Sequence, residues 1–459
     1  MNDSLYGASS ALALGRLFAQ GRMTPTEAAQ CALARAANAP SVFITLTAQR
    51  AVAEAAAATE RWRAGSPRGP LDGVPIAWKD LFDAQGTPTT AGSALWRNAP
   101  PAFADAQLVA RAARAGLVCI GKTNLSEFAF SGLGINAHYG TPVNTLHPGA
   151  ARVPGGSSSG SALAVALGIV PLAMGTDTAG SIRVPAALNG VVGFKSSSAR
   201  YAFGGVTGLS ETLDCLGPIA RDVADCLALD PVLRGMSPVD VLAVAPGDGA
   251  LEGIRIRAPR DVLDDARVTP GVRRNTERAL DALQRAGAIV DARPLQAVSS
   301  TFELIATRGW LGALEALERY RNLLQTSDAA RIDARVRTRL QAANGFPPER
   351  HAELMAQRWQ LMAALKDELA GAALVMPSVA HEAPLLAQVE SSPEAFADTN
   401  LATLRLTMLG SFLDLTALSL PISSDGDTLP TGLQLALPCG QDQALLTLGL
   451  RVAAAIGSN

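Results

Sequence analysis

Residues 154–195 read PGGSSSGSALAVALGIVPLAMGTDTAGSIRVPAALNGVVGFK. The opening, Pro154-Gly155-Gly156-Ser157-Ser158-Ser159-Gly160-Ser161, is a bare, serine-rich loop. The apolar run Ala162 to Met174 is too short to span a bilayer and is interrupted by Gly168 and Pro171, so it reads as a buried helix running into a strand. That strand leads into Gly175-Thr176-Asp177-Thr178-Ala179-Gly180-Ser181-Ile182-Arg183. Ser181 there sits directly behind two residues with almost no side-chain bulk, where backbone amides can crowd around an oxyanion.

Outward from this stretch the same grammar repeats. Asp105 to Ala115 is helical, Gly116 ends it, and Leu117-Val118-Cys119-Ile120 is a buried-strand candidate; Asn275 to Ala286, Gly287 and Ala288-Ile289-Val290 follow the same order. Val74 to Trp78 is short and apolar, which places Lys79 at or near a strand end. Residues 8–37 have helical periodicity, with Thr24-Pro25-Thr26-Glu27 as a start signal for a second helix, and Ala51 to Ala64 is an alanine-rich helix. Gly65 to Gly73 is a glycine- and proline-rich break. Ala373 to Pro377 and Leu433 to Leu437 suit central strands. These units predict an α/β architecture with a largely buried sheet that the C-terminus completes, hence one domain. Its parts are an N-terminal helical part (1–65), a core (66–236), a helical insertion (237–370) that covers the core and shapes access to it, and a C-terminal part (371–459). Ala329 to Ala343 and Arg350 to Leu369 are the insertion's clearest helices.

Composition narrows the functions. At 459 residues the chain can bury roughly three quarters of its unfolded surface, ample for an enzyme. A formal charge of -2 with 17% charged residues gives no phosphate-tracking face and no polybasic membrane patch, so neither nucleic acid nor a membrane is expected as a partner. A homodimer is compatible with the sequence, which sets no oligomeric state. Five scattered cysteines, Cys31, Cys119, Cys215, Cys226 and Cys439, read as buried thiols of a reducing compartment. Met1-Asn2-Asp3-Ser4 starts no secretory signal, so a cytoplasmic location is expected.

A serine hydroxyl needs a nearby base, and acyl transfer needs fixed donors for the developing oxyanion. Ser181 can attack, and the amides of Thr178, Ala179, Gly180 and Ser181 are candidate donors. Lys79, in the apolar segment Gly73-Val74-Pro75-Ile76-Ala77-Trp78-Lys79-Asp80, can serve as base if burial keeps it neutral. Asp177 and Arg183 are expected to pair structurally, and Lys122 in Gly-Lys-Thr-Asn lacks the glycine spacing of a phosphate loop.

With these residues in view, the chain resembles the amidase signature family of serine hydrolases. Pro154 through Lys195 matches its glycine- and serine-rich signature. Flanking matches are Leu71 to Ile76, Gly121 to Phe128, Leu213 to Ala220 and Leu429 to Gln434, so the resemblance covers most of the chain except the insertion. It implies a single large α/β domain with a central mixed β-sheet surrounded by helices, and no cofactor. It also implies a relay in which Lys79 deprotonates Ser157, Ser157 activates Ser181, and Ser181 attacks the amide carbon to form an acyl-enzyme. Backbone around Ala129 is placed beside the substrate. Three departures stand out: Ala179-Gly180 replaces a glycine pair, Ser159 replaces a common glycine, and Lys195-Ser196-Ser197 replaces lysine-proline-threonine.

Rival readings remain open. Gly156-Ser157-Ser158-Ser159-Gly160 also fits a G-x-S-x-G nucleophile elbow, which would make Ser158 the nucleophile of an esterase; it needs a strand before the turn and a histidine, of which His381 is the candidate. The four histidines show no metal-binding spacing, so no metal is expected. The signature also allows the glutaminase component of a transfer-RNA amidotransferase complex. The expected substrate is a small linear amide, or a related carbamate or urea. Ala129 to Leu133, Trp310 and Phe412 are pocket candidates whose apolar character favours an aryl or alkyl amide, and no charged clamp for a polar substrate such as glutamine is apparent.

Overall fold

The short apolar runs become neighbouring strands of one sheet. In the computed structural model, which describes residues 2–147, 149–236, 250–422 and 429–457, these are β1 (Phe43–Leu46), β2 (Pro75–Lys79), β3 (Val118–Thr123), β4 (Leu172–Asp177), β5 (Val192–Lys195), β6 (Cys215–Ala220), β7 (Arg255–Arg257), β8 (Ile289–Asp291), β9 (Ala373–Pro377), β10 (Thr416–Ile422) and β11 (Thr431–Leu437). Their order across the sheet is β1-β3-β2-β4-β6-β5-β10-β11-β9-β7-β8. The sheet is mixed. β2 runs parallel to β3 and β4, every step from β4 through β6, β5, β10 and β11 to β9 is antiparallel, and β9, β7 and β8 are parallel again.

β2, β3, β4, β5 and β6 are buried at every position, so the sheet is covered on both faces, as near-continuous apolar runs require. One cluster joins Leu14 and Ala28 of the N-terminal helices, Trp78 and Met174 of the central strands, and Leu418, Leu433 and Leu446 of the C-terminal part. That shared core makes the chain one α/β domain. The start signal at Thr24 is a capping box on helix Pro25–Ala37: Thr24 accepts from the Glu27 amide while the Glu27 carboxylate accepts from the Thr24 amide, an arrangement worth about 1 kcal/mol. Among the described residues no helix is long and apolar enough to cross a membrane.

Three expectations change. The insertion is not purely helical, because β7 and β8 extend the sheet edge beyond β9; its first residues, 237–249, lie outside the described residues. Helix Ser159–Ala166 starts earlier than the apolar run suggests, inside the serine-rich loop, with Ser158 at its N-cap. The five cysteines are all free, but Cys31 is half-buried and Cys439 exposed, so only Cys119, Cys215 and Cys226 are buried thiols.

Candidate active site

The parallel alignment of β2 with β4, Trp78 opposite Met174, brings their carboxyl ends together. Crevices at the carboxyl ends of parallel strands are where α/β proteins place their ligands. Lys79 ends β2 and Asp177 ends β4; Ser157 lies just before helix Ser159–Ala166, and Ser181 follows the turn after β4. Lys79 Nζ lies 2.7 Å from Ser157 Oγ and 2.7 Å from Thr176 Oγ1. Lys79 and Ser157 are wholly buried, while Ser181 is 4% exposed at the mouth of a cavity. Burial drives the Lys79 ammonium down to about 7, with Asp214 and Asp177 only partly offsetting the loss of water. A neutral amine is therefore available near physiological pH.

The loop holding Ser181 is fixed from several directions. Burial alone would raise the Asp177 carboxyl, but the Arg183 guanidinium, Lys195 and backbone donors outweigh it and hold the group at about 2. Arg183 Nη2 is 2.9 Å from Asp177 Oδ1 and 2.8 Å from Ser411 Oγ, and Arg183 Nη1 donates to Gln434 Oε1 at 2.8 Å. The pair thus anchors the loop to β11 and to helix Pro393–Phe412. Thr407 Oγ1 donates to the Ala179 carbonyl at 2.6 Å, and the Ser158 amide donates to the Ser181 carbonyl at 3.1 Å. Beneath Thr178, whose hydroxyl donates to Asp214 at 2.5 Å, burial raises the Asp214 carboxyl. Lys122 is structural: it pairs with Asp80 at 2.6 Å, both fully buried, and also donates to Pro88 and Thr89.

One of the four candidate oxyanion donors is already engaged. The Gly180 N–H donates to Asp177 Oδ1 at 2.8 Å, so it shapes the turn and does not face a substrate oxygen. Among the described residues the amides of Thr178, Ala179 and Ser181 have no hydrogen-bond partner, and all three residues line the cavity. Gly180 has φ 132°, and a Cβ there would overlap Thr407 Oγ1. Ala129 also lines the cavity, its own amide held by Ser126 O at 2.8 Å.

The cavity measures about 270 Å³, near the small end for ligand pockets. Phe130, Trp310, Leu404 and Met408 make most of it apolar, and Ser131, Asn400 and Arg339 are its polar lining beyond the loop. Trp310 is where the sequence places it. Phe412 is not: it is fully buried and packs behind Trp310 with ring centroids 6.4 Å apart, and Leu133 belongs to a separate apolar cluster. A larger cleft of about 850 Å³ meets this cavity at Leu209 but is lined by Glu211, Glu315 and His351 and contains none of Lys79, Ser157 and Ser181.

The elbow reading finds no support in the geometry. Ser158 is wholly buried and its hydroxyl donates to the Thr176 carbonyl at 3.3 Å. Among the described residues no strand leads into the loop, and His381 bonds Thr403 Oγ1 and the Glu382 carbonyl and no serine. Nor, among those residues, is any group of three or more His, Cys, Asp or Glu side chains placed to hold a metal ion. Sequence reasoning missed Thr176, Asp214, Asn400 and Arg339. Thr176 was within reach, in the strand that runs into the nucleophile loop, and Asp214 lies in the flanking match Leu213 to Ala220; Asn400 and Arg339 come from distant segments with no local signal.

Comparison with known proteins identifies the family. The amidase family model matches residues 26–446. A 2-amino-5-chloromuconic acid deaminase of Comamonas testosteroni is 35% identical over 91% of this chain and 89% of its own length. The glutamyl-tRNA(Gln) amidotransferase component of the same family from Acidothermus cellulolyticus is 32% identical over 97% of this chain and 94% of its own. A crystal structure of an amidase superposes with a TM-score of 0.82 at 34% identity, covering 98% of this chain and all of that one. The chain belongs to the amidase family and is an amidase-signature hydrolase acting on carbon–nitrogen bonds.

Proposed function

We propose that the chain hydrolyses a linear amide, or a related carbamate or urea, through an acyl-enzyme on Ser181. The observation that carries this reading is the fully buried Lys79 with Nζ 2.7 Å from Ser157 Oγ, beside a nucleophile loop that opens into the cavity. Neutral Lys79 takes the Ser157 proton as Ser157 takes that of Ser181. Ser181 Oγ bonds to the carbonyl carbon, and the carbonyl electron pair moves to the oxygen facing the amides of Thr178, Ala179 and Ser181. Collapse breaks the C–N bond, and the proton returns along the relay to the departing nitrogen. Water then attacks the ester, with the same relay taking its proton, and releases the acid. The test is a panel of anilide, alkyl amide, carbamate, urea and glutamine substrates with the purified chain and its Lys79→Ala variant. Turnover of at least one substrate, lowered by several powers of ten in Lys79→Ala, is the expected result, and a near-normal rate in the variant overturns the assignment of the base.

The near-complete alignment with a glutamyl-tRNA(Gln) amidotransferase component favours one second reading, a glutaminase that works only within a complex. It predicts glutamine hydrolysis that appears when the other components are added and no turnover of simple amides by the isolated chain.

A further inference from the structure

Two walls of the Ser181 cavity come from separate parts of the chain. One is the segment Ala129, Phe130 and Ser131; the other is the insertion, through Trp310, Gly312 and Ala342 at the end of helix Ala334–Ala342. Neither wall holds itself in place. Phe128 and Ala129 both sit in the left-handed region, at φ 53° and 59°, which residues with a Cβ keep only where their surroundings impose it. Helix Ala334–Ala342 has nine residues and buries only Val336 and Leu340, too short a helix to be stable by itself.

Glu127 joins the two. It directly precedes the left-handed pair, and its side chain is only 2% exposed. Oε1 accepts from Ser93 Oγ at 2.6 Å and lies 3.0 Å from His138 Nε2. Oε2 accepts from the Asp333 N–H at 2.8 Å, across 206 positions of chain. Asp333 is the N-cap of helix Ala334–Ala342 and its own carboxylate accepts from the Arg335 N–H at 2.9 Å, so the bond from Glu127 acts on the helix end itself. One residue further on, the Phe128 ring stacks on Tyr320 of helix Leu311–Leu324, with centroids 4.6 Å apart, as a second tie to the insertion. A carboxylate is costly to bury, and an apolar side chain of similar size would fill the space at less cost. What it would not do is accept the Asp333 N–H.

We propose, resting on the amide-hydrolase reading, that Glu127 is a positioning residue: it clamps the insertion to the Ala129–Ser131 wall and so sets how tightly the cavity holds the substrate. Glu127 does not line the cavity, and its hydrogen bonds go to none of Lys79, Ser157 and Ser181. Loss of the clamp is therefore felt in substrate binding and not in proton transfer, which raises KM and leaves kcat in place.

The test compares Glu127→Met, which keeps the length of the side chain but not its oxygens, with Glu127→Gln. The Asp333 N–H can only donate, whereas the Ser93 hydroxyl and the His138 ring can also accept. A glutamine can therefore turn its carbonyl to Asp333 and its NH2 to the other two, and keep the clamp. A hydrogen bond to a charged group is worth roughly 10- to 150-fold. For whichever amide of the substrate panel is turned over, KM should rise about tenfold or more in Glu127→Met with kcat nearly unchanged, and Glu127→Gln should restore most of the affinity. Hydrogen exchange read by mass spectrometry is independent of turnover: peptides spanning 128–131 and 333–342 should exchange about tenfold faster in Glu127→Met, with those of β4 and β6 unchanged. If Glu127→Met does not fold, Asp333→Pro against Asp333→Ala probes the other end of the bond. Both remove the capping carboxylate, φ −47° at Asp333 lies near the value a proline ring imposes, and only proline removes the N–H; Asp333→Pro alone should then show the raised KM and the fast exchange. Unchanged KM and exchange in Glu127→Met overturn the proposal, and so does a loss confined to kcat. If the unmodified protein turns over no amide, the amide-hydrolase reading fails and the exchange result still decides whether Glu127 clamps the insertion.

Discussion

Replacing Lys79 by methionine removes the one buried amine beside the serines and gives the account a thermodynamic handle. An exposed lysine titrates near about 10.4, and in the fold Lys79 titrates at about 7. Between those values the unfolded chain holds a proton that the native chain has released, so native stability rises with pH across that window. From pH 6 to pH 9 the wild type should gain about 3 kcal/mol that Lys79→Met does not, at about 1.36 kcal/mol per pH unit once the native amine is neutral. The substitution also leaves Thr176 Oγ1 and Ser157 Oγ without their partner, a penalty of about 1–3 kcal/mol per group that is independent of pH and shifts the whole curve. The slope is thus the diagnostic quantity. Urea unfolding of both proteins at half-unit steps from pH 6 to 9 measures it, and parallel stability profiles would refute the claim that Lys79 is held neutral by burial.

Other consequences follow from the same geometry. Because the base must be neutral, kcat/KM should fall about tenfold per pH unit below pH 7 and level off above it, and a profile flat to pH 5 counts against Lys79. Asp177→Asn strands the buried Arg183 charge and should destabilise the fold by about 3–5 kcal/mol, read as a lowered urea midpoint; a loss below 1 kcal/mol would show that Gln434 and Ser411 suffice. Gly180→Ala forces a methyl against Thr407 at φ 132° and should lower kcat at least a hundredfold with the protein still folded by circular dichroism, whereas unchanged kcat would mean the turn can be rebuilt.

The parts of the fold that were legible are those where composition and burial agree. Pro75–Lys79, Val118–Thr123 and Ala373–Pro377 are mostly apolar and buried at every position, and a strand buried on both faces reads as a near-continuous apolar run. β6 was hidden because Gly217 and Pro218 lie inside it, yet Pro218 pairs opposite Met174 in mid-sheet; neighbouring strands override its weak propensity. β7, Arg255-Ile256-Arg257, hides one buried residue between two polar ones. Within the site, Lys79, Ser157 and Ser181 stood out because each lies in a contiguous motif. Gly180 was misread as a donor because the turn of its N–H toward Asp177 is a property of φ and ψ, which residue type does not reveal. Arg339 was invisible for a different reason. On a helix rich in arginine it looks like one more solvated charge, and only tertiary packing brings it to the cavity that Ser181 lines.

The claim on which the rest depends is that Ser181 is the nucleophile. Treating the protein with a fluorophosphonate and locating the adduct by peptide mass spectrometry tests it most directly. The account predicts a single adduct on Ser181, absent from Ser181→Ala and formed faster as pH rises through 7; an adduct on Ser158 or elsewhere, or equal labelling of Ser181→Ala, would contradict it.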